Sequence, residues 1–205
     1  MVLYLVRHGQ TNWNVAGKLQ GQSDIPLNDH GIMTARLTGE QLAHIPFTKA
    51  LSSPLQRAYT TCELIIGDRP LEIEKDPDLM EISFGDYEGL CIHGEHKNVP
   101  EQQFHEHFFH HPDQYITPPN GESLFALRKR ARHFIDKLAV NEQLKNDTIV
   151  ATAHGAIICA ILAELHQYDM AHFWGYGVPK NCSVTIIRFE KGEITIEEEN
   201  KVLFS

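Results

Sequence analysis

The chain has 205 residues, of which 42% are hydrophobic and 22% charged, and its formal net charge is −9. This length and composition are typical of one globular domain with a sizeable core. The negative charge argues against a protein that binds nucleic acid or an anionic membrane, because either function needs a basic face. A small anionic ligand stays possible, since a few arginines can make a pocket locally positive.

Cysteine usage and hydropathy indicate where such a chain resides. The four cysteines, at 62, 91, 159 and 182, match neither a zinc-ribbon nor a redox-motif spacing, so we expect buried free thiols and a reducing compartment. We see no signal-peptide pattern at the N-terminus and no apolar run near the roughly 18 residues of a membrane span. A soluble, cytoplasmic protein is the expectation.

The first half of the chain alternates short apolar runs with helical patterns. Ser53 before Pro54 is typical of a helix start, with the serine as N-cap. The polar loop at 9–28 is long for a compact domain, which is usually a sign of function. The predicted elements are a strand at 2–6, a helix at 29–45, a strand at 50–51, a helix at 53–66 and a strand at 71–75.

The second half contains one irregular segment. Residues 91–120 are rich in His, Phe, Gln and Pro, with an amphipathic stretch near 101–110, and we interpret them as an insertion covering one end of the sheet. Around it we predict a helix at 121–141, a strand at 148–153, a helix at 156–165 and a hairpin at 183–189 and 193–199. The alternation predicts a single three-layer α/β domain over 1–205, with a mostly parallel central sheet and helices on both faces.

Chemically active side chains follow the predicted strands. In open α/β sheets, ligands bind beyond the carboxyl ends of the strands, so we expect the side chains there to converge. Arginine matches phosphate oxygens with a planar fork, and the helix after His154 offers its first amides to an anion. The residues at this edge are Arg7, His8, Arg57, Glu81, His154 and Gly155.

This set suits phosphoryl transfer. A neutral histidine is a competent nucleophile near pH 7, and glycine at position 155 lets the backbone approach a ligand closely. An alkoxide leaves poorly, so a general acid such as a carboxyl group is needed.

Several sequence blocks resemble the histidine phosphatase superfamily, which has the phosphoglycerate mutase-like fold. The first is Arg-His-Gly-Gln-Thr-Asn-Trp-Asn at 7–14, and together the blocks cover nearly the whole chain except 91–118. They lie at 7–14, 19–31, 52–58, 79–89, 119–123 and 153–155.

The resemblance implies a role for each matching residue. His8 is implied to accept the phosphoryl group, and Glu81 to protonate the leaving oxygen and then activate water. Arg7, Arg57 and His154 are implied to bind the phosphate. Loop positions Asn14, Gln20 and Gly21 match residues that reach the phosphate or the rest of the substrate. The resemblance implies neither metal nor cofactor, because cationic side chains stabilise the charge.

Three functions stay open: a phosphomonoesterase acting on a small phosphorylated metabolite through a phosphohistidine, a phosphoglycerate mutase, and a non-catalytic phospho-ligand binder. The mutase branch carries Glu-Arg-His-Tyr-Gly and a basic insert, whereas here Glu81 precedes Ile-Ser-Phe-Gly and Lys97 is the one fixed cation of the insert at 91–120. The phosphatase is therefore favoured over the mutase, and over the binder because no catalytic group is lost.

Three further expectations concern the surroundings of this set. The histidines at 93, 96, 105, 107, 110 and 111 suggest either a metal site or a solvated cover, and we favour the cover. Phe104, Phe108, Phe109 and Tyr115 form either an apolar wall over the site or a separate small core. The carboxylates near Glu81, at 76, 78, 86 and 88, are expected to be mostly solvated.

Overall fold

The computed structural model describes residues 1–100 and 103–204, which contain one six-stranded sheet. The strands are β1 Val2–Arg7, β2 Lys49–Ser52, β3 Ile73–Lys75, β4 Thr148–Ala153, β5 Val184–Glu190 and β6 Glu193–Lys201. Their order in the sheet is β3-β2-β4-β1-β5-β6. Strands β1 to β4 run parallel, and β5 and β6 add an antiparallel edge. The predicted α/β fold with a mostly parallel sheet is therefore confirmed.

Helices cover both faces of the sheet. They are α1 Asn12–Val15, α2 Asp29–Gln41, α3 Gln56–Ile66, α4 Phe104–Phe109, α5 Leu124–Ala139 and α6 Gly155–Leu165. Single 3₁₀ turns lie at Pro77–Leu79, Gly85–Tyr87, Pro112–Gln114 and Glu142–Leu144. Helices α2 and α3 contact each other, as do α5 and α6.

Alternating side chains of the central strands enter two separate cores. Leu3 and Leu5 of β1 belong to the larger core, together with the buried residues of α5 and α6. Val6 belongs to a second core with Cys62 and Ile65 of α3. Successive side chains of a strand point to opposite faces, so a central strand such as β1 needs an apolar layer on each side. This arrangement gives the predicted three layers.

The start of α3 differs from the prediction. The helix begins at Gln56, and the hydroxyl of Ser53 lies 2.7 Å from Nε2 of His154 instead of capping the helix. The carboxylate of Asp24, in the loop after β1, accepts a hydrogen bond from the backbone N–H of Gln56 at 2.7 Å. The cap comes from a distant part of the chain, which a local Ser-Pro pattern cannot reveal.

Local capping produces two further differences from the prediction. The loop at 9–28 contains the short helix α1, and a reciprocal capping box between Thr11 and Asn14 stabilises the N-terminus of this helix. Helix α5 begins at Leu124 and not at 121, because the Ser123 side chain accepts a hydrogen bond from the N–H of Ala126. Both caps satisfy backbone donors that a helix leaves open at its first turn.

The irregular segment at 91–120 packs onto the main core. Phe104 and Phe108 of α4 are buried in the larger core cluster, and Tyr115 packs against it. The first two residues of the predicted amphipathic stretch, 101 and 102, lie outside the described residues. Elsewhere in the chain, none of the helices that the structure describes combines the length and the apolar composition of a membrane span.

Candidate active site

A cavity of about 140 Å³ opens beyond the carboxyl ends of β1 and β4. All but one of the predicted site residues line this cavity. The exception is His154, which is fully buried behind the lining, with its ring centroid 5.0 Å from that of His8. The polar lining is Arg7, His8, Asn14, Lys18, Gln20, Arg57 and Glu81, with Gly21 and Gly155. The apolar lining is Leu19, Phe84, Ile92, Phe108, Phe109, Ala156, Trp174 and Val178.

His8 is held in one tautomer at the end of β1. Its Nδ1 donates a hydrogen bond to the carbonyl of Gly9 at 2.6 Å, which leaves the lone pair on Nε2. The residue is only 2% exposed, so the imidazole is shielded from bulk water. Burial lowers the pKa of His8 well below its usual value, and the charges of Arg57 and Arg7 lower it further.

Arg7 places an unsatisfied donor at the cavity. One guanidinium nitrogen donates to the carbonyl of Pro179, whereas the buried Nε has no hydrogen-bond partner among the residues of the structure. A buried, unpaired N–H is costly unless a ligand satisfies it. Gly155 lies beside this guanidinium and under Val178, and a Cβ at position 155 would lie only 2.8 Å from a methyl of Val178.

Arg57 is fully buried and already bonded on three sides. Its Nε donates to Nδ1 of His154 at 3.1 Å, and its two terminal nitrogens donate to the carbonyls of Ser23 at 2.8 Å and Gly21 at 2.7 Å. Three of the five guanidinium N–H donors are thus used, and two remain for a ligand. Burial lowers the pKa of Arg57 to about 10, so it stays protonated at pH 7.

His154 is positioned behind Arg57 as a neutral imidazole. Because Nδ1 accepts from Arg57, the proton is on Nε2, which donates to the Ser53 hydroxyl at 2.7 Å. Burial lowers the pKa of His154 well below its usual value, and Arg57 and His8 lower it further. In this geometry His154 orients Arg57, and its direct contact with phosphate stays a prediction.

Glu81 occupies the N-terminus of α6. Its Oε1 accepts from the N–H groups of Ile82 at 3.0 Å, Ala156 at 3.1 Å and Ile157 at 3.2 Å, whereas Oε2 shares the Ala156 donor at 3.1 Å. We predicted that these first amides of the helix face an anion, and the anion that they bind is this carboxylate. The helix dipole favours that charge at this position.

The loop residues predicted to reach the substrate are tied to one another. The amide oxygen of Asn14 accepts from the backbone N–H of Thr11 at 3.0 Å, and that of Gln20 accepts from the Thr11 hydroxyl at 3.0 Å, so their NH₂ groups are the donors left for the cavity. Gly21 has a φ of +50°, and a Cβ there would lie 2.1 Å from Oε1 of Glu88. Glycine is required at that position for both reasons.

Two residues that support the catalytic set were missed in the sequence. Arg130 on α5 donates to the carbonyls of Met80 at 2.6 Å and Glu81 at 3.3 Å, and to Glu122 at 2.8 Å. Asn181 donates to the carbonyl of His8 at 2.8 Å. Both contacts join parts of the chain far apart in sequence, and Arg130 stands among other basic residues of an amphipathic helix, so no local signal distinguishes either.

We predicted that the four carboxylates near Glu81 are mostly solvated, and for three of them this is wrong, because they are buried or half-buried. Asp76 is buried and pairs with Lys137, which also pairs with Asp78. Glu88 accepts from the N–H of Gln22 at 2.9 Å and from other loop donors. Only Asp86 is exposed. Asp76, Asp78 and Glu88 are therefore structural, because the first two pair with a cation of α5 and the third accepts from loop donors.

Of the two alternatives for the aromatic residues of the insertion, the wall over the site agrees with the structure, and the separate small core is wrong because the residues join the main core. Phe108 and Phe109 line the cavity, whereas Phe104 and Phe108 are part of the larger core. The nearby histidines form ring contacts, with His105 at 4.9 Å from Phe109 and 5.8 Å from His110. Among the residues the structure describes, no group of three or more His, Cys, Asp or Glu is placed to hold a metal ion.

Taken together, the polar part of the cavity can bind a dianion and attack it. Arg7 and Arg57 offer N–H donors and two positive charges beside a neutral imidazole whose Nε2 lone pair is available. A carboxylate with one lightly used oxygen lies in the same lining. Cationic donors fixed before the ligand arrives stabilise developing negative charge without reorganisation.

Known proteins show the same sequence pattern and fold. The profile of the histidine phosphatase superfamily (branch 1) matches residues 3–202. The chain is 32% identical to an adenosylcobalamin/alpha-ribazole phosphatase of Salmonella typhimurium over 89% of this chain and 88% of that protein. It is 33% identical to a phosphoglycerate mutase of Schizosaccharomyces pombe, over 80% of this chain and 79% of the mutase.

Solved structures agree with these sequence matches. Bacillus stearothermophilus YhfR superposes with a TM-score of 0.87 and 29% identity, covering 98% of this chain and 97% of the other. The profile covers nearly the whole chain, and the residues that carry the resemblance surround one cavity. The chain therefore belongs to the histidine phosphatase superfamily, branch 1.

Proposed function

We propose that this histidine phosphatase hydrolyses a small phosphate monoester through a phosphohistidine at position 8. The observation that carries the proposal is the state of His8, a buried neutral imidazole whose Nδ1 proton is bound to Gly9 and whose Nε2 faces a cavity lined by Arg7 and Arg57. A phosphatase among the relatives supports the same reaction.

The reaction proceeds in two steps. In the first, Nε2 of His8 bonds to phosphorus, the ester P–O bond breaks, and the protonated carboxyl of Glu81 gives its proton to the leaving alkoxide. In the second, the Glu81 carboxylate takes a proton from water, the water oxygen bonds to phosphorus, and the P–N bond breaks. Oε2 is the oxygen that carries the proton, because Oε1 already accepts three backbone hydrogen bonds.

The other site residues hold the phosphate and the catalytic groups. Arg7 donates its unpaired Nε to a phosphate oxygen, and Arg57 donates its two remaining N–H groups. Asn14 and Gln20 contribute side-chain NH₂ groups from the loop. His154 acts through Arg57, which it orients.

Trapping of the intermediate tests this proposal. Rapid quench with a ³²P-labelled alkyl phosphate should yield an acid-labile, base-stable phosphoprotein, and the His8→Asn variant should yield none. Asparagine is a better test than alanine because His8 is buried and its truncation would leave a cavity. Hydrolysis by His8→Asn at a rate near that of the unchanged enzyme would exclude His8 as the nucleophile.

A mutase assay separates the alternative reaction. The enzyme is incubated with 3-phosphoglycerate and 2,3-bisphosphoglycerate, and we expect inorganic phosphate without 2-phosphoglycerate. Beyond the phosphate-binding residues, Lys18 is the single basic residue of the described cavity lining. A mutase has to retain a doubly phosphorylated intermediate, and this lining offers little charge for it.

We also propose a cytoplasmic location. The four cysteines, Cys62, Cys91, Cys159 and Cys182, are all buried and unpaired in the structure, as expected in a reducing compartment.

A further inference from the structure

The active-site cavity has two chemically different halves. The phosphate-binding groups form one half, and the other consists of the side chains of Phe84, Ile92, Phe108, Phe109 and Trp174, which we call the aromatic wall. The organic part of any bound phosphate ester must contact this wall if its phosphate reaches His8. The chemistry of the wall therefore indicates what kind of organic group the substrate has.

The rings of the aromatic wall are packed against one another and held in fixed positions. The rings of Phe108 and Trp174 lie 4.8 Å apart, and those of Phe109 and Trp174 lie 5.5 Å apart. The indole N–H of Trp174 donates to the carbonyl of Phe108, which joins two segments far apart in sequence. Phe84 contacts Phe108 from the main domain at 5.2 Å. Edge-to-face packing of this kind fixes the rings in place.

Two members of the wall keep ring surface open. Phe108 is buried in the core, whereas Phe109 and Trp174 are only partly buried, and both line the cavity. Their rings are inclined at 34° to each other. Partly open aromatic faces that line a cavity are surfaces on which a flat apolar group can pack.

Charge in the cavity argues against an anionic organic group. Arg7 and Arg57 serve the phosphate, and among the described lining residues the one further basic group is Lys18, whose ammonium lies 5.5 Å from the Trp13 ring. An uncharged group on the wall avoids the desolvation of an unpaired charge.

We propose that the substrate is a phosphate monoester of an uncharged alcohol bearing an aromatic or similarly flat apolar group, which packs on Phe109 and Trp174. This inference rests on the proposed hydrolase activity.

A pair of esters with similar leaving alcohols tests the organic group alone. We expect kcat/KM for 2-phenylethyl phosphate to exceed that for ethyl phosphate by about tenfold or more, from burial of the ring. Phosphoserine and 3-phosphoglycerate represent small substrates with an additional charged group and should be poorer than 2-phenylethyl phosphate. No hydrolysis of any ester would instead contradict the proposed function itself.

Variants of the wall locate the effect. In Phe109→Ala the ratio of kcat/KM for phenylethyl over ethyl phosphate should fall about fivefold or more, and Phe109→Leu should restore part of it. Tyr176→Ala is the matched control, because Tyr176 is an aromatic residue of the same surface segment as Trp174 but is 86% exposed and outside the cavity. Its ratio should equal that of the unchanged enzyme.

Two results would overturn the inference. One is active hydrolysis with no preference between the phenylethyl and ethyl esters, which would mean that the wall does not contact the substrate. The other is a preference for phosphoserine or 3-phosphoglycerate that is lost in Lys18→Met. In that case the organic group is anionic, and Lys18 rather than the aromatic wall selects it.

Discussion

Two buried neutral imidazoles should make the stability of this enzyme depend on pH. His8 is 2% exposed and His154 is 0% exposed, and burial next to arginines holds the pKa of both well below the usual value. In the unfolded chain each titrates near its ordinary pKa of about 6.5. Below that pH the unfolded chain binds protons that the folded chain does not, so the free energy of unfolding falls as the pH falls.

The size of the effect follows from the titration of the unfolded chain. At pH 5.5, one unit below the unfolded pKa, each histidine that stays neutral when folded lowers the free energy of unfolding by about 1.4 kcal/mol. The two together account for a loss of about 2.8 kcal/mol. This is a large fraction of the roughly 5–15 kcal/mol that a domain has in total.

Urea unfolding at pH 7.5 and pH 5.5 measures the effect. The loss between these two pH values should be about 1.4 kcal/mol smaller in His154→Gln than in the unchanged protein. Other histidines, including His133 and His166 paired with carboxylates, contribute equally to both proteins and cancel. Replacement of the exposed His44 by glutamine is the control and should leave the loss unchanged.

Equal pH dependence in His154→Gln and the unchanged protein would refute the reasoning. It would mean that His154 takes up a proton in the folded state despite its burial against Arg57. A second variant, His8→Asn, gives an independent measurement of the same quantity for the other imidazole.

Three further predictions concern catalysis. Glu81→Gln should slow hydrolysis of alkyl phosphates about 100-fold or more, whereas p-nitrophenyl phosphate should give a burst of nitrophenol followed by a slow steady state. Asp86→Asn, at an exposed carboxylate, is the control and should show neither effect. Equal loss of activity on both esters without a burst would mean that another residue is the general acid. Arg130→Lys should lower kcat for alkyl phosphates by about 10- to 100-fold, with less effect on the first step with the nitrophenyl ester, because a point charge cannot hold the carbonyls of Met80 and Glu81 together. Activity should survive EDTA, and loss on chelation with recovery on adding one metal would make the histidine-rich segment a cofactor site.

The parts of the fold that the sequence predicts best are those with strong local patterns. The apolar runs predicted as β1, β4 and α6 supply much of the buried core, and their positions match the observed elements. The same holds for the chemistry: Arg7, His8 and Glu81 were predicted at strand ends, and all three line the cavity. Strand ends of a parallel sheet meet at one edge whatever the details of packing.

Contacts between distant segments are what the sequence could not reveal. Ser53 has the local pattern of a helix cap, yet its hydroxyl bonds to His154 and the cap comes from Asp24. Arg130 and Asn181 support Glu81 and His8 from elements far along the chain. No periodicity encodes such pairs, because each side is locally an ordinary polar residue. The sequence thus predicts the reacting side chains but not the residues that position them.

These contacts between distant segments explain how two arginines can line one cavity. Arg57 is fixed by the carbonyls of Gly21 and Ser23, and this loop is fixed in turn by the carboxylate of Glu88. Glu81 adds negative charge near both Arg7 and Arg57 and supports their charged forms. The cost of orienting the cations is therefore met during folding, and a phosphate dianion finds donors already in place. Because these groups bind the phosphate that every substrate shares, they cannot distinguish one ester from another. We therefore expect the aromatic wall to select the organic group of the substrate.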